Sequence, residues 1–356
     1  MKLGSTPRIR FFLLALAVLV TAVLVSACNG GAAPSTTPGA ATKPSLTLTL
    51  AAYSTPREVV EQTIIPAFQK QWKASQGQDV KFNSTYQGSG TQARAVVAGL
   101  EADLVFLSLK PDVTTVVKAG LIKSNWQANQ NGIVSRSVVV LAVRKGNPKG
   151  IKDWTDLAKP GVQVLTPDPK TSGGAQWNVA AMYGAALRGK VPGVAANNPA
   201  AAQQFLISVL KNVVAFDRDA RTSITNFEKG IADVAITYEN EVLTAQKAGE
   251  QIEYVIPAST ILIENPAAVV DSWSEKHGTS AVAKGFIEFL QSKDGQRLFA
   301  ADSFRPVDAG LLAEFSSKYP KVSDQWDISY LGGWPKVVAD LFGESGIYQK
   351  ALSAAR

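Results

Sequence analysis

The chain has 356 residues, 46% of them hydrophobic, with 36 Lys or Arg against 29 Asp or Glu and a formal charge of +7. A single Cys and a single His exclude a disulfide framework, a Cys/His zinc site and a Cys-His dyad. The basic residues are scattered rather than clustered, which argues against nucleic acid as a partner.

The N-terminus predicts export. Lys2, Arg8 and Arg10 form a basic head, and Phe11 to Val25 is an apolar run broken only by Thr21. That run falls short of the ~20 apolar residues a membrane-spanning helix needs. A basic head, a short apolar core and small residues at its end define a signal peptide over 1–27. Its loss removes Lys2, Arg8 and Arg10 and no acid, so the charge falls from +7 to +4. The exit sequence Val25-Ser26-Ala27-Cys28 resembles the lipobox of bacterial lipoproteins, where the Cys is acylated and becomes the new N-terminus. That resemblance implies lipid attachment at Cys28. The alternative is ordinary cleavage near Ala27, with Cys28 incidental. After Cys28, within the expected anchor and tether of 28–44, residues 29–44 are Gly, Ala, Ser, Thr, Pro and Asn with one Lys, a composition that cannot bury enough apolar area to order itself. A flexible tether is expected there.

The remaining stretch of about 310 residues exceeds a usual single core, so two lobes are expected. Strands and helices alternate along it, the pattern of a mostly parallel sheet and an α/β fold. Leu46 to Tyr53 alternates in the strand period. Arg57 to Trp72 has helical spacing, with Pro66 expected to kink the helix or delay its regular part. Val80–Tyr86 is a strand, Gln92–Leu100 a helix and Leu104–Leu109 a buried strand. Strands follow at Val138–Arg144 and Val162–Thr166, then helices at Asn178–Leu187 and Ala201–Lys211. Val213–Phe216 and Val234–Tyr238 are strands with a helix at Ser223–Lys229 between them; Glu239–Ala248 and Ala281–Gln291 are further helices. His277 lies in a polar, turn-like stretch and is expected to be a solvated loop residue.

Several strand-to-helix turns are rich in Gly, Ser and Thr: Gln87-Gly88-Ser89-Gly90-Thr91, Thr171-Ser172-Gly173-Gly174, Asp219-Ala220-Arg221-Thr222-Ser223 and Tyr53-Ser54-Thr55-Pro56-Arg57. Such a turn offers unpaired backbone N–H groups, a hydroxyl donor and the positive end of a helix dipole, a ready anion site. Glycine lets an anion approach the backbone closely. Taken singly, each turn is as well explained by helix capping. None fits a Walker A loop, and QGSGT is not a nucleophile elbow.

AYSTPRE, YQGSGTQA, GLEADLVFLSL, VRKGNPKGIKDWTDL, TPDPKTSGGAQWN, GIADVAITYENE and FRPVD, in order from Leu46 to Asp308, together resemble the sulfate-binding proteins of bacterial sulfate/thiosulfate ABC importers. The resemblance implies a two-lobed periplasmic-binding-protein fold of type II, with a dehydrated sulfate in the interlobe cleft. Backbone N–H groups and neutral donors would hold it, not Lys or Arg. Carried over by motif, the sulfate-binding residues are the Ser172 hydroxyl, the N–H groups of Gly173 and Gly174, Ser89, Ala220, Ser54 and Tyr238. Two positions depart from the family pattern. Ser54-Thr55 stand where Asp-Pro is common, and Tyr238 replaces a Trp whose indole N–H donates.

The implied organisation is lobe 1 over 45–134 and 239–310, lobe 2 over 135–238 and a C-terminal extension, 311–356, packed on the lobes. Hinge crossings are expected near Ser135–Val140 and Tyr238–Asn240. Asp217 and Asp219 are expected to be structural, and Arg57 and Glu58 to lie behind the ligand contacts or on the helix surface. The expected partners are sulfate or a related oxyanion, a permease and its ATPase subunits, and the membrane through the lipid anchor. The protein is expected to be a periplasmic monomer that needs no cofactor, metal or nucleic acid and catalyses nothing. Thiosulfate or molybdate binding, a Ser/carboxylate hydrolase and a structural surface lipoprotein remain as alternatives. No base stands near Ser89 or Ser172 in sequence to support the hydrolase.

Overall fold

The computed structural model describes residues 43–123 and 125–356; the expected signal peptide, Cys28 and the tether up to residue 42 lie outside the described residues. β1 (Lys43–Tyr53) starts inside the expected tether, since Lys43 already pairs with Gln78. The helix expected over 57–72 forms in pieces: α1 (Arg57–Val59), a π turn at Val60–Ile64, then α2 (Ile65–Gln76). Pro66, in the first turn of α2, has no N–H to return to the preceding turn, and the wider π turn absorbs the mismatch. Next come β2 (Gln78–Gln87), α3 (Ser89–Val97), β3 (Leu104–Phe106) and α4 (Lys110–Lys118). Sequence periodicity did not reveal α4, because it buries only Val113 and Val116.

β4 (Ile133–Arg144) is a twelve-residue strand. β5 (Val164–Pro167), α5 (Gly173–Leu187), α6 (Pro199–Leu210), β6 (Val213–Asp217), α7 (Ala220–Glu228) and β7 (Val234–Tyr238) follow. Then come α8 (Glu239–Lys247), β8 (Ile252–Val255) and β9 (Ser259–Val269). The chain closes with α9 (Asp271–His277), α10 (Ser280–Gln291), α11 (Lys293–Asp302), α12 (Ala309–Glu314), β10 (Asp324–Trp326), α13 (Gly333–Asp340) and α14 (Ile347–Ala355).

The strands form two sets with one pattern. In β2-β1-β3-β9-β4 the first three are parallel, β9 runs against β3, and β4 runs against β9. In β6-β5-β7-β4-β8 the first three are again parallel, β4 runs against β7, and β8 runs against β4. β4 belongs to both. Its residues up to Val138 pair with β9, and from Val139 they pair with β7.

The expected second crossing at Tyr238–Asn240 does not occur there. Val242 and Ala245 of α8 share a buried cluster with Ile252 and with Val140 and Ala142 of β4, and β8 pairs with β4 at Leu141–Arg144. Residues 239–258 therefore stay with the second set, and β9 carries the chain back. Residue 305 bridges to Arg136 alongside. The C-terminal segment covers α5. Trp334 packs edge-on against Trp177, with ring centroids 4.6 Å apart. A Cβ on Gly184 would stand 2.0 Å from the Trp326 ring, so glycine admits that indole. This cover explains why 13 of the 15 residues of α5 are buried and why the helix is not amphipathic.

His277 is not in a loop. It ends α9, with Nδ1 2.9 Å from Asp103 Oδ1 and Nε2 3.0 Å from Glu101 Oε2, and its ring stacks on Trp273.

Candidate functional site

Ladders end together at Tyr53 and Gln87, and the turns after β1, β2, β3, β5, β6 and β7 all lie at the carboxyl ends of parallel strands. In open α/β sheets this is where ligands bind. Five of these turns start helices of nine or more residues, α3, α4, α5, α7 and α8, and three of the five carry the Gly/Ser or Asp-Ala turns. α3 begins at Ser89 after Gly88, which supplies no side-chain cap. α5 begins after Ser172, whose hydroxyl accepts from Ala175 N at 3.4 Å. α7 begins at Ala220 after Asp219, whose carboxylate accepts from Thr222 N at 2.8 Å.

Missing side chains let the turns meet. A Cβ on Gly88 would lie 2.4 Å from the Thr171 carbonyl oxygen, so the turn after β2 touches the turn after β5 backbone to backbone. A Cβ on Gly173 would lie 2.7 Å from Ser108 Oγ. On Gly174 it would lie 3.0 Å from the Tyr238 ring, 3.3 Å from Ala220 Cβ and 3.4 Å from Ser172 Oγ. Gly173, Gly174, Ser172, Ala220 and Tyr238 thus share one location. The Tyr238 ring lies 6.4 Å from that of Tyr53, next to Ser54. Ser54, Ser89, Ser172, Ala220 and Tyr238 are all buried. On the elements that end here, Ser223 and Asn240 also bury side-chain polar atoms that complete no hydrogen bond among the described residues.

Ser89 differs from the expected picture of a free hydroxyl donor. Its Oγ donates to Asp112 Oδ2 at 2.5 Å and accepts from Ser108 N at 2.9 Å. The first N–H groups of α3, not this hydroxyl, are what the turn has left to offer. Burial pushes the Asp112 carboxyl up to about 6, opposed by the Ser89 hydrogen bond and by Arg94.

The nearby cations are engaged elsewhere. Arg221 reaches Glu58 Oε2 at 2.9 Å, Glu241 Oε2 at 3.0 Å and the Thr55 carbonyl oxygen at 3.2 Å. Arg218 pairs with Asp219, and Arg57 lies over the Tyr86 ring. Asp219 therefore acts as a cap, and Asp217 accepts from Asn226 Nδ2 at 2.6 Å. Glu241 is fully buried; burial pushes its carboxyl up to about 7, with Arg221 pulling the other way. Burial likewise drives the Tyr238 phenol above its ordinary range, so it stays a neutral hydroxyl.

Ser108, Asp112 and Glu241 are the residues that sequence reasoning missed. Ser108 Oγ and Tyr238 Oη are 2.6 Å apart, a contact between residues 130 positions apart that no local motif announces. An open groove of about 1020 Å³ lies elsewhere, between the end of α5, the start of α6 and the C-terminal helices, lined by Tyr183, Leu187, Tyr330, Lys336 and Ile347. It shares no residue with these turns, and its chemistry is not that of an anion cradle.

Known proteins are similar to this chain in sequence and fold. The family described as bacterial extracellular solute-binding protein matches residues 48–305. A sulfate-binding protein of Synechococcus elongatus is 44% identical over 341 residues, covering 94% of this chain and 93% of its own. A thiosulfate-binding protein of Escherichia coli is more distant, 35% identical over 298 residues, covering 82% of this chain and 87% of its own. The solved sulfate-binding protein SubI of Mycobacterium tuberculosis superposes with a TM-score of 0.75 at 37% identity, covering 82% of this chain and 98% of its own. The two strand sets are accordingly the two lobes of a type II periplasmic-binding-protein fold. Its relatives are solute-binding proteins, not enzymes. The chain belongs to the bacterial extracellular solute-binding proteins and, among them, to the sulfate-binding proteins.

Proposed function

We propose that the protein captures sulfate between its lobes and delivers it to an ABC-type permease with its ATPase subunits. The observation that carries this reading is the meeting of Ser172, Gly173, Gly174, Ala220 and Tyr238 at one buried point, while Arg221 and Arg218 are held by carboxylates. Burying a dianion without hydrogen bonds is prohibitive, so each oxygen needs donors, and helix starts supply them while spreading the charge. Sulfate has no proton to give and suits a pocket of donors. Protonated phosphate would leave its own donor unpaired there.

In this reading Ser54 contributes its backbone N–H, Ser89 the start of α3, Ser172 its hydroxyl, Gly173, Gly174 and Ala220 their N–H groups, and Tyr238 its phenol. Lobe 1 comprises β1–β3, the first half of β4, the later part of β9 and α9–α11; lobe 2 runs from the second half of β4 through β8. The protein works in the periplasm as a monomer, released by a signal peptide over 1–27 and held to the membrane through a lipid on Cys28.

The test is equilibrium dialysis of labelled sulfate against the chain begun at Lys43, with unlabelled thiosulfate, molybdate and phosphate as competitors. Single-site retention of sulfate is expected, with phosphate a poor competitor. Ser172→Ala is expected to weaken it about 10- to 100-fold, the worth of one hydrogen bond to a charge. Absence of retention by a folded chain would overturn the proposal.

A further inference from the structure

Ser108, two residues beyond β3, is fully buried and held at every backbone atom that can bond. Its N–H donates to Ser89 Oγ at 2.9 Å, and its carbonyl accepts from Trp177 Nε1 at 3.1 Å and Asn265 Nδ2 at 3.2 Å. The hydroxyl has a fixed place as a result. It lies against the first turn of α5, where a Cβ on Gly173 would come within 2.7 Å of it. Its hydrogen-bond partner is Tyr238 Oη, at 2.6 Å across the two strand sets.

We infer that Ser108 is a positioning residue of the oxyanion site: it donates its hydroxyl proton to Tyr238 Oη and so turns the tyrosine's own proton towards the anion. This rests on the reading that the cleft takes a tetrahedral oxyanion. A phenol can donate or accept, so an unassisted Tyr238 could also receive a proton from a protonated anion. With Ser108 donating to the phenol oxygen and the Asn265 side chain also bonded to it, Tyr238 is left to face the ligand with its proton. The chain from Ser108 to Tyr238 to anion also polarises both bonds in one direction. An indole N–H donates and never accepts, so a tryptophan would need no such partner. Ser108 thus gives a tyrosine the one-way character that an indole has by itself, and it sets the preference for fully ionised anions.

A double-mutant cycle tests this, titrating sulfate and phosphate at one pH into the wild type, Ser108→Ala, Tyr238→Phe and the double variant, and into Tyr238→Trp with and without Ser108→Ala. Ser108→Ala is expected to weaken sulfate about tenfold and to narrow the ratio of sulfate to phosphate affinity. In the Tyr238→Phe and Tyr238→Trp backgrounds the same change is expected to do nothing further. Ser108→Cys, which is somewhat larger but keeps a side chain there and donates only weakly, carries the test if Ser108→Ala does not fold. An equal loss in all three backgrounds, or a ratio that does not move, would show that Ser108 only packs against Gly173 and would overturn the inference. Loss of all oxyanion binding by the wild type would instead overturn the reading beneath it.

Discussion

Glu241 places a carboxyl beside an anion site, and its protonation should be felt there. Burial holds it near 7; Arg221, Thr55, Glu58 and Asp219 face it, and its charge acts on both Tyr53 and Tyr238. As pH falls from 8 to 6 the carboxyl takes up a proton and its repulsion of a dianion disappears. Sulfate has no proton to exchange in that range, so affinity is expected to rise by roughly 3- to 10-fold, about 1 kcal/mol of relieved repulsion. Glu241→Gln should flatten the profile. A slope unchanged in that variant would assign the effect to another group. Residues of this kind were not legible in the sequence. Glu241 follows Tyr238 on the first turn of α8, and only the fold shows that Arg221 and Thr55 close over it. The glycine turns were legible because capping and glycine's lack of a side chain are local, whereas the distant groups those glycines admit, Thr171 against Gly88 and Tyr238 against Gly174, were not.

At the scale of elements, α9 shows a polar stretch becoming structural. His277 donates or accepts at both ring nitrogens, and Glu101 first, then Asp103, raise its pKa above the ordinary histidine value. A group whose folded value is raised stabilises fully below its unfolded value, ordinarily about 6.5, and that contribution is lost as pH rises through the folded value. The thermal midpoint is therefore expected to fall as pH rises from 6 to 8.5, and His277→Gln should remove that part of the slope. An identical slope in the variant would contradict the assignment. Glu101 is exposed and acts oppositely, its lowered value giving stability that is lost in acid. The Asp103 carboxylate also accepts from Thr49 N at 2.7 Å and Thr279 Oγ1 at 2.6 Å, so it ties α9 and α10 to β1. β9 escaped sequence reading for a related reason. Glu264, Asn265 and Pro266 interrupt its apolar run, yet Asn265 is wholly buried because it bonds to the Ser108 carbonyl, and Glu264 pairs with Arg136 of β4.

At the scale of the molecule, the two strand sets meet through a few defined contacts. Gly88 lies against Thr171, Ser108 meets Tyr238, and Arg221 reaches Thr55 and Glu58. The joining strands β4 and β9 lie beside a buried ion pair, Arg305 Nε to Glu239 Oε2 at 2.6 Å, with Arg305 Nη2 also donating to the Pro320 carbonyl. This pairing offers a stiff frame behind Tyr238 on which the lobes can hinge. Gly88→Ala would set a methyl against the Thr171 carbonyl, holding the lobes apart without disturbing either core. Sulfate release is expected to quicken by more than about tenfold at an unchanged melting temperature, since affinity changes of this kind appear mostly in dissociation. Tight binding retained by Gly88→Ala would show that the close approach is not needed. The alternation of strands and helices made two α/β lobes readable, whereas the site of the second crossing depended on α8 and β8 staying with β4, a packing choice.

A cleft that holds an anion by donors alone should discriminate sulfate from phosphate in calorimetry at pH 6.5 and 8.5. Single-site sulfate binding is expected at both values, with phosphate, which keeps a proton at either pH, binding far more weakly. Phosphate bound as tightly as sulfate would contradict it, because a proton on the ligand would then have found an acceptor that a donor-only cleft lacks.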